Sequence, residues 1–342
     1  MSDTEPAATG ASEPRLDREA SIGALRELFH DGLISRDALE AAGARMGASL
    51  RWRFWIDRVL LVLGTALVLA GLISFLALHW HDLGRTIKLG GPAVLVVAAV
   101  LTALWVGLDR PVGRALLFAG SVFVGLFLGA FGQVYQTGAD AWELFRAWWL
   151  LITFWVVASR HHEQWLLWIA LVDVMIAMWY EQAARPPWIY TVWPWVVTAL
   201  LQVAALVGLH FGNAKRYFVI PHVWPRWLLV PATLFLFVGP LSVQVVDKGL
   251  VGVDVWVLFL AYIGFLVAGF WYFRFHARDL FSLTCLGFSV VWLATCFVFR
   301  VARVFELRDV SMLLFVGLIV AAMLTGLVAW VRRIQKQMGN EA

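Results

Sequence analysis

A chain of 342 residues in which 61% are hydrophobic and only 15% are charged lacks the polar surface to coat a soluble domain. The formal charge of +4 does not point to nucleic acid either, because the Lys and Arg residues lie mostly at the ends of apolar runs rather than in one patch.

Residues 1–14 are rich in Ala, Ser, Thr, Glu and Pro without periodicity, which predicts a disordered tail. Over 15–52 the pattern turns helical, with Ile22, Leu25, Leu28 and Phe29 on one face and Leu39, Ala42 and Met46 after a break. Gly32 suits a helix C-terminal cap and Ser35 an N-cap, so the stretch reads as a cytoplasmic helix-turn-helix hairpin. Such a hairpin could lie on the bilayer as a collar or recruit a cytoplasmic partner. Nothing in the first 50 residues has the apolar core and cleavage site of a secretory signal, so the first span is expected to act as its own insertion signal.

From residue 53 to 332 apolar runs of about 20 residues recur, each long enough to cross a hydrocarbon core about 30 Å thick as a helix with its backbone satisfied internally. The expected spans are 58–79, 87–108, 115–135, 142–159, 165–180, 191–210, 227–246, 254–273, 280–300 and 309–331. The fifth is short and could be tilted, re-entrant or broken. The fold class is therefore an all-α integral membrane protein, a polytopic bundle of about ten transmembrane helices, with a cytoplasmic tail at 333–342. Basic residues such as Arg51, Arg58, Arg110, Arg114, Arg160, Lys215, Arg226, Arg274 and Arg332 alternate with poorer loops, which places both termini in the cytoplasm by the positive-inside rule. Arg300, Arg303 and Arg308 break the rule at an outer loop, so either Glu306 and Asp309 or an anionic ligand should hold them.

Half of the 20 tryptophans fall between Trp142 and Trp195. Trp142, Trp188, Trp193, Trp195, Trp224 and Trp227 fit anchoring at the interface, where the ring is half apolar and the N–H finds a partner. Trp148, Trp149, Trp155 and Trp168 lie deeper, as core packing or as a wall on which a ligand stacks. Cys285 and Cys296 share one helix, about 16 Å apart at helical rise, too far to bridge.

In the third span Ser121, Gly125, Gly129 and Gln133 recur every four residues and form one stripe along which a neighbouring helix can approach closely. Gln133 ends the stripe at the outer interface, near Tyr135, Gln136, Gly138, Asp140, Glu143 and Arg146. With Arg303, the residues Gln133, Tyr135, Asp140, Glu143 and Arg146 are the expected ligand-binding group of an outer-facing polar pocket. The alternative is structural: Asp140 caps the fourth helix, Glu143 pairs with Arg146, and Gln133 ties two helices.

Gly132-Gln133-Val134-Tyr135, then Gly138, Asp140, Leu144-Phe145 and Trp148, together with Gly32-Leu33-Ile34-Ser35, resemble the bacterial multi-pass membrane family known as domain of unknown function 2157. The resemblance covers roughly residues 20 to 180 and implies a bacterial inner-membrane protein, with no assigned activity, mechanism or catalytic residue.

Asp173 is the one acidic residue near the middle of an expected span, with Ala170 and Ala177 at helical spacing. An intramembrane acid is costly and raises a functional hypothesis, here a proton-coupled carrier. The alternatives are an Asp that locks helix packing, with Gln202 as the candidate partner, or a span boundary that leaves it wet. His79, His81 and Asp82, and His161-His162-Glu163, have ligand chemistry without metal-site spacing and read as solvated turns. Pro231 and Pro240 predict a kinked seventh span. The chain has no phosphate-binding Gly-Lys loop, nucleophile elbow or zinc-protease motif, so no catalytic residue, metal or cofactor is assigned and the chain is not read as an enzyme.

Three functions stay open. The first is binding or transport of a small anionic or lipid-linked ligand at the outer pocket. The second is a non-catalytic structural or assembly subunit, with a membrane-protein partner for the tryptophan-rich spans and a cytoplasmic partner for the hairpin. The third is an intramembrane enzyme acting on lipid. The lipid bilayer is the one partner the composition requires.

Overall fold

A computed structural model describes residues 28–29, 32–35, 38–39, 47–184, 192–215, 217–218, 224–247, 251–304 and 310–340. Every regular element among them is helical: α1 Gly47–Leu78, α2 Arg85–Val106, α3 Pro111–Tyr135, α4 Ala141–Ser159, α5 His162–Trp179, α6 Trp193–Ala214, α7 Trp224–Asp247, α8 Val253–Trp271, α9 Leu280–Val304 and α10 Val310–Asn340. Single π turns extend α5 (Tyr180–Ala184) and α8 (Tyr272–His276). Each of the ten carries a stretch long and apolar enough to cross a membrane.

The chain divides into two compact units at Gly71. In the first, Gly32 takes φ +71°, Leu33 N–H donates to Leu28 O at 2.9 Å and Gly32 N–H to Phe29 O at 3.1 Å, a Schellman closure that satisfies the free carbonyls of a helix end. Three residues on, Ser35 Oγ accepts from Ala38 N–H at 3.2 Å, the N-cap that starts the next helical turn. The helix carrying the first span begins at Gly47, inside the stretch assigned from sequence to the hairpin. Calls for the tail 1–14, Trp188, Glu306, Arg308 and Asp309 fall outside the described residues.

The second unit, Leu72–Ala342, is built from neighbours in sequence. Connections of four and two residues fold α2 onto α3 and α4 onto α5, while α6 packs on α7 and α7 on α9. The centre is α7, whose most apolar stretch is 56% buried, whereas none of that stretch of α10 is buried and its Leu314 and Leu318 face outward. Around α7 the core joins Phe237 and Leu241 to Leu258 and Tyr262 of α8, Leu283 of α9 and Val196 and Ala199 of α6. Pro231 and Pro240 are both tolerated within α7; nearby, Thr233 and Ser242 hydroxyls bond back to Leu229 O and Val238 O.

The fifth span differs from its expected short form. It runs His162–Ala184, 23 residues, because the polar Tyr180–Ala184 segment continues as a π turn instead of ending the helix. The last helix likewise runs to Asn340, through the expected tail. The guanidinium of Arg300 donates to Val245 O at 3.0 Å, a carbonyl at the C-terminal end of α7.

Candidate ligand cavity

The stripe on α3 does bring a helix close. A Cβ on Gly125 would lie 2.5 Å from the Trp148 ring, so only glycine admits that ring. Trp148 Nε1–H donates to Ser121 O at 2.7 Å and Trp155 Nε1–H to Ser121 Oγ at 2.9 Å, which fixes α4 on α3 with two of its indoles as struts. Ser121 in turn donates to Gln164 Oε1 at 2.8 Å and so ties in α5.

The outer group is looser. Gln133, Tyr135, Asp140 and Arg146 are exposed, and Glu143 is half-buried. Asp140 sits at the N-cap position of α4 without a side-chain cap bond, and Glu143 meets Arg146 at 4.0 Å. Arg146 lies over Trp142, and Arg85 lies over Tyr135 at 4.6 Å from the ring centre. Arg303 lies with another set of helices: α9 packs on α7, α8 and α10, and the guanidinium covers Phe299, whereas α3 and α4 pack on α2 and α5. His79 is in an exposed turn, its Nδ1 3.0 Å from Phe75 O.

A half-open cavity lies elsewhere, between α4, α5 and α6. It is a cavity of about 720 Å³ walled by Trp149 of α4, Trp165 and Trp168 of α5, and Leu201, Ala205 and Gly208 of α6. Helical period explains how α6 serves two roles: Val196, Ala199 and Val203 turn toward the α7 core, and Leu201, Ala204, Ala205 and Gly208 turn toward the cavity. Large indoles on α4 and α5 face small residues on α6, and the volume is the mismatch. A Cβ on Gly208 would meet nothing within 4 Å.

Among the described residues Asp173 is the only acidic or basic one of this wall. Its Oδ2 accepts from Gln202 Nε2 at 2.5 Å, which ties α5 to α6. Asp173 Oδ1 and Gln202 Oε1 remain buried acceptors without a donor among the described residues. The indole N–H groups of Trp149 and Trp165 are likewise buried without a partner, while Trp168 Nε1–H donates to Thr153 Oγ1 at 2.9 Å. Unsatisfied polar groups of this kind cost stability and gather at this wall.

One end of the cavity is closed by residues outside the spans. Tyr217 O–H donates to Val157 O at 3.0 Å, Phe218 stacks on His162 at 4.0 Å between ring centres, and both Tyr217 and Phe218 line the space. Beside them the α4–α5 turn holds Arg160 and His161. Burial holds the imidazole of His161 below its ordinary range, against the pull of Glu163 and with a smaller push from Arg114. Arg114 is itself buried and meets Glu163 at 3.4 Å. Among the described residues no three His, Cys, Asp or Glu side chains gather as a metal site.

Ten helices long and apolar enough to cross a membrane define a polytopic helical membrane protein. Residues 26–165 match the family described as predicted membrane protein, DUF2157, over the region where the sequence motifs resemble it. The match runs through α4 and stops at Trp165, so Asp173, Gln202 and the α6 wall lie beyond it. No curated protein and no solved structure matches the chain.

The sequence singled out Asp173 and Trp149 and Trp168, but not the cavity they share. Gly208, Tyr217 and Phe218 were missed. The spacing of small residues on α6 (Ala204, Ala205, Gly208, Gly212) was the available signal.

Proposed function

We propose that this protein binds a membrane lipid whose apolar chain occupies the cavity between α4, α5 and α6. The observation that carries the reading is the cavity itself, about 720 Å³ walled by indoles and aliphatic side chains, with one carboxyl. A volume of that order suits a chain-bearing molecule, and walls of aromatic and apolar groups with few polar ones are the usual make-up of small-molecule sites. Of the two ligand classes considered from sequence, the lipid-linked one fits this wall better than a small anion, because among the described residues the wall offers no cation.

In this reading the protein is a binding or carrier protein of the bacterial inner membrane with both termini cytoplasmic, the side that the basic residues favour. Asp173 and Gln202 form the floor of the site and hold α5 to α6. The outer group of Gln133, Tyr135, Asp140, Glu143 and Arg146 serves as an interfacial collar, its cations lying over aromatic rings.

Native mass spectrometry of the full chain in mild detergent tests the proposal, beside Gly208→Trp, which fills the cavity from a position with open space. One lipid retained per wild-type chain and lost from the variant is the expected result. Equal retention by both would overturn the reading. Stoichiometric partner subunits without a retained lipid would also overturn it and point to the assembly role, with the hairpin as the place to look.

A further inference from the structure

We infer that the lipid carries an anionic, phosphate-bearing headgroup, and that Arg160 is the residue that receives it. The inference rests on the cavity reading and adds the chemistry of the ligand's polar end.

The cavity has a direction. Its Tyr217 and Phe218 end lies at the turns that join α4 to α5 and follow α6, and its other end reaches Asp173. Asp173 stands eleven residues after His162, where α5 begins. At 1.5 Å per residue that is about 16 Å, close to half of a hydrocarbon core of about 30 Å. The space therefore has the depth of one leaflet, with Tyr217 and Phe218 at the headgroup level and its floor at the bilayer midplane. A lipid of that leaflet lays its chain in this space at its own depth.

The charge at the headgroup end is positive and available. Arg160 is exposed, and its guanidinium lies 5.6 Å from the centre of the Tyr217 ring, the same ring that closes the cavity through Val157. Among the described residues no ion pair is seen for Arg160, and Glu163, three residues on, meets Arg114 at 3.4 Å. Lys215, two residues before Tyr217, is exposed beside the same closing residues. His161 adds no competing charge of either sign when its ring is neutral, the state its burial favours.

The backbone argues in the same direction. Arg160 ends α4 in the left-handed region at φ +55°, ψ +33°. Glycine or asparagine takes that conformation at least cost, and an arginine held there gives up some stability. A guanidinium matches phosphate by paired donors, so a phosphate next to the Tyr217 ring is the complementary group.

The test uses the full chain in mild detergent and two probes of equal chain length, phosphatidylglycerol and phosphatidylcholine, followed by native mass spectrometry. Both carry phosphate, but only the first has a net negative charge, with no choline to neutralise it. Wild type should retain phosphatidylglycerol over phosphatidylcholine by about tenfold, the scale of one charge-assisted contact. Arg160→Asn keeps the left-handed turn and should bring the ratio near unity, while Arg160→Lys should restore most of it. Gly208→Trp should lower retention of both lipids together. A wild-type ratio near unity, or a preference that survives Arg160→Asn, would overturn the headgroup inference while lipid retention blocked by Gly208→Trp leaves the cavity reading standing. Retention of both lipids unaffected by Gly208→Trp would overturn the cavity reading itself.

Discussion

Two neighbouring regions of the second unit share α6 and are built on opposite terms. Around α7, α8 and α9, Phe237, Leu241, Leu258, Tyr262 and Leu283 are almost fully buried and the polar groups are paired: Tyr262 with Ser289 at 3.0 Å, Asp279 with Arg226 at 3.0 Å, and Arg300 with the end of α7. Around α4, α5 and α6 the side chains line a half-open cavity instead, and four polar atoms at its wall or floor lack partners among the described residues. With lipid tails as apolar as leucine, close packing rather than burial from water holds membrane helices together. The α7 region gains that packing. The α4–α6 region forgoes it, and a ligand can restore it.

The largest difference should appear on truncating one leucine in each region. Leu258→Ala is expected to cost about 2–4 kcal/mol of stability, and Leu201→Ala at the cavity wall under about 1 kcal/mol. Unfolding in mixed micelles measures both, and equal losses would mean that the α4–α6 region packs as tightly as the frame.

Next come two glycines. Gly125→Val drives a side chain into the Trp148 ring and should cost about 1–3 kcal/mol, whereas Gly208→Ala enters open space and should be neutral or slightly stabilising. Thermal unfolding with both variants sharpens where α4 is fixed and where it is free.

A smaller effect belongs to Asp173. Replacement by Leu leaves the Gln202 amide without its partner and should cost about 1 kcal/mol, while Asp173→Asn supplies a donor where two acceptors now face no donor and should be at least as stable as wild type. If the Asn variant unfolds more easily than the Leu variant, the carboxyl does more than tie α5 to α6.

The smallest is a pH effect at His161. Its folded value lies below the ordinary 6.5, so the unfolded chain takes up the proton first. Above about pH 6.5 the ring is neutral in both states and contributes nothing; as pH falls below that, stability drops until the lowered folded value is reached. His161→Gln should flatten this part of the profile, and an unchanged slope between about pH 7 and about pH 5 would assign it to other groups.

Much of the fold was legible in the sequence. Ten apolar runs gave ten helices, because segment length against bilayer thickness needs no tertiary information. Gly32 and Ser35 were readable as caps because their chemistry is local, and so was the close approach at Gly125. The pairing of Asp173 with Gln202 was one of several readings of a lone acid, and the two side chains do meet. The extent of the fifth span was not legible, since a π turn carries a helix through a segment whose composition suggests an end.

The candidate site was less legible than the fold. Sequence proximity grouped Gln133, Tyr135, Asp140, Glu143 and Arg146, but it could not show that Arg303 lies on a helix packed elsewhere. What the sequence determined by itself was the class of protein, the number of spans and the caps at the hairpin turn, all set by interactions over a few residues or by the thickness of the membrane. What only the tertiary structure decided was where packing fails. A cavity is the mismatch between indoles on two helices and small residues on a third, and no single segment of the chain encodes it.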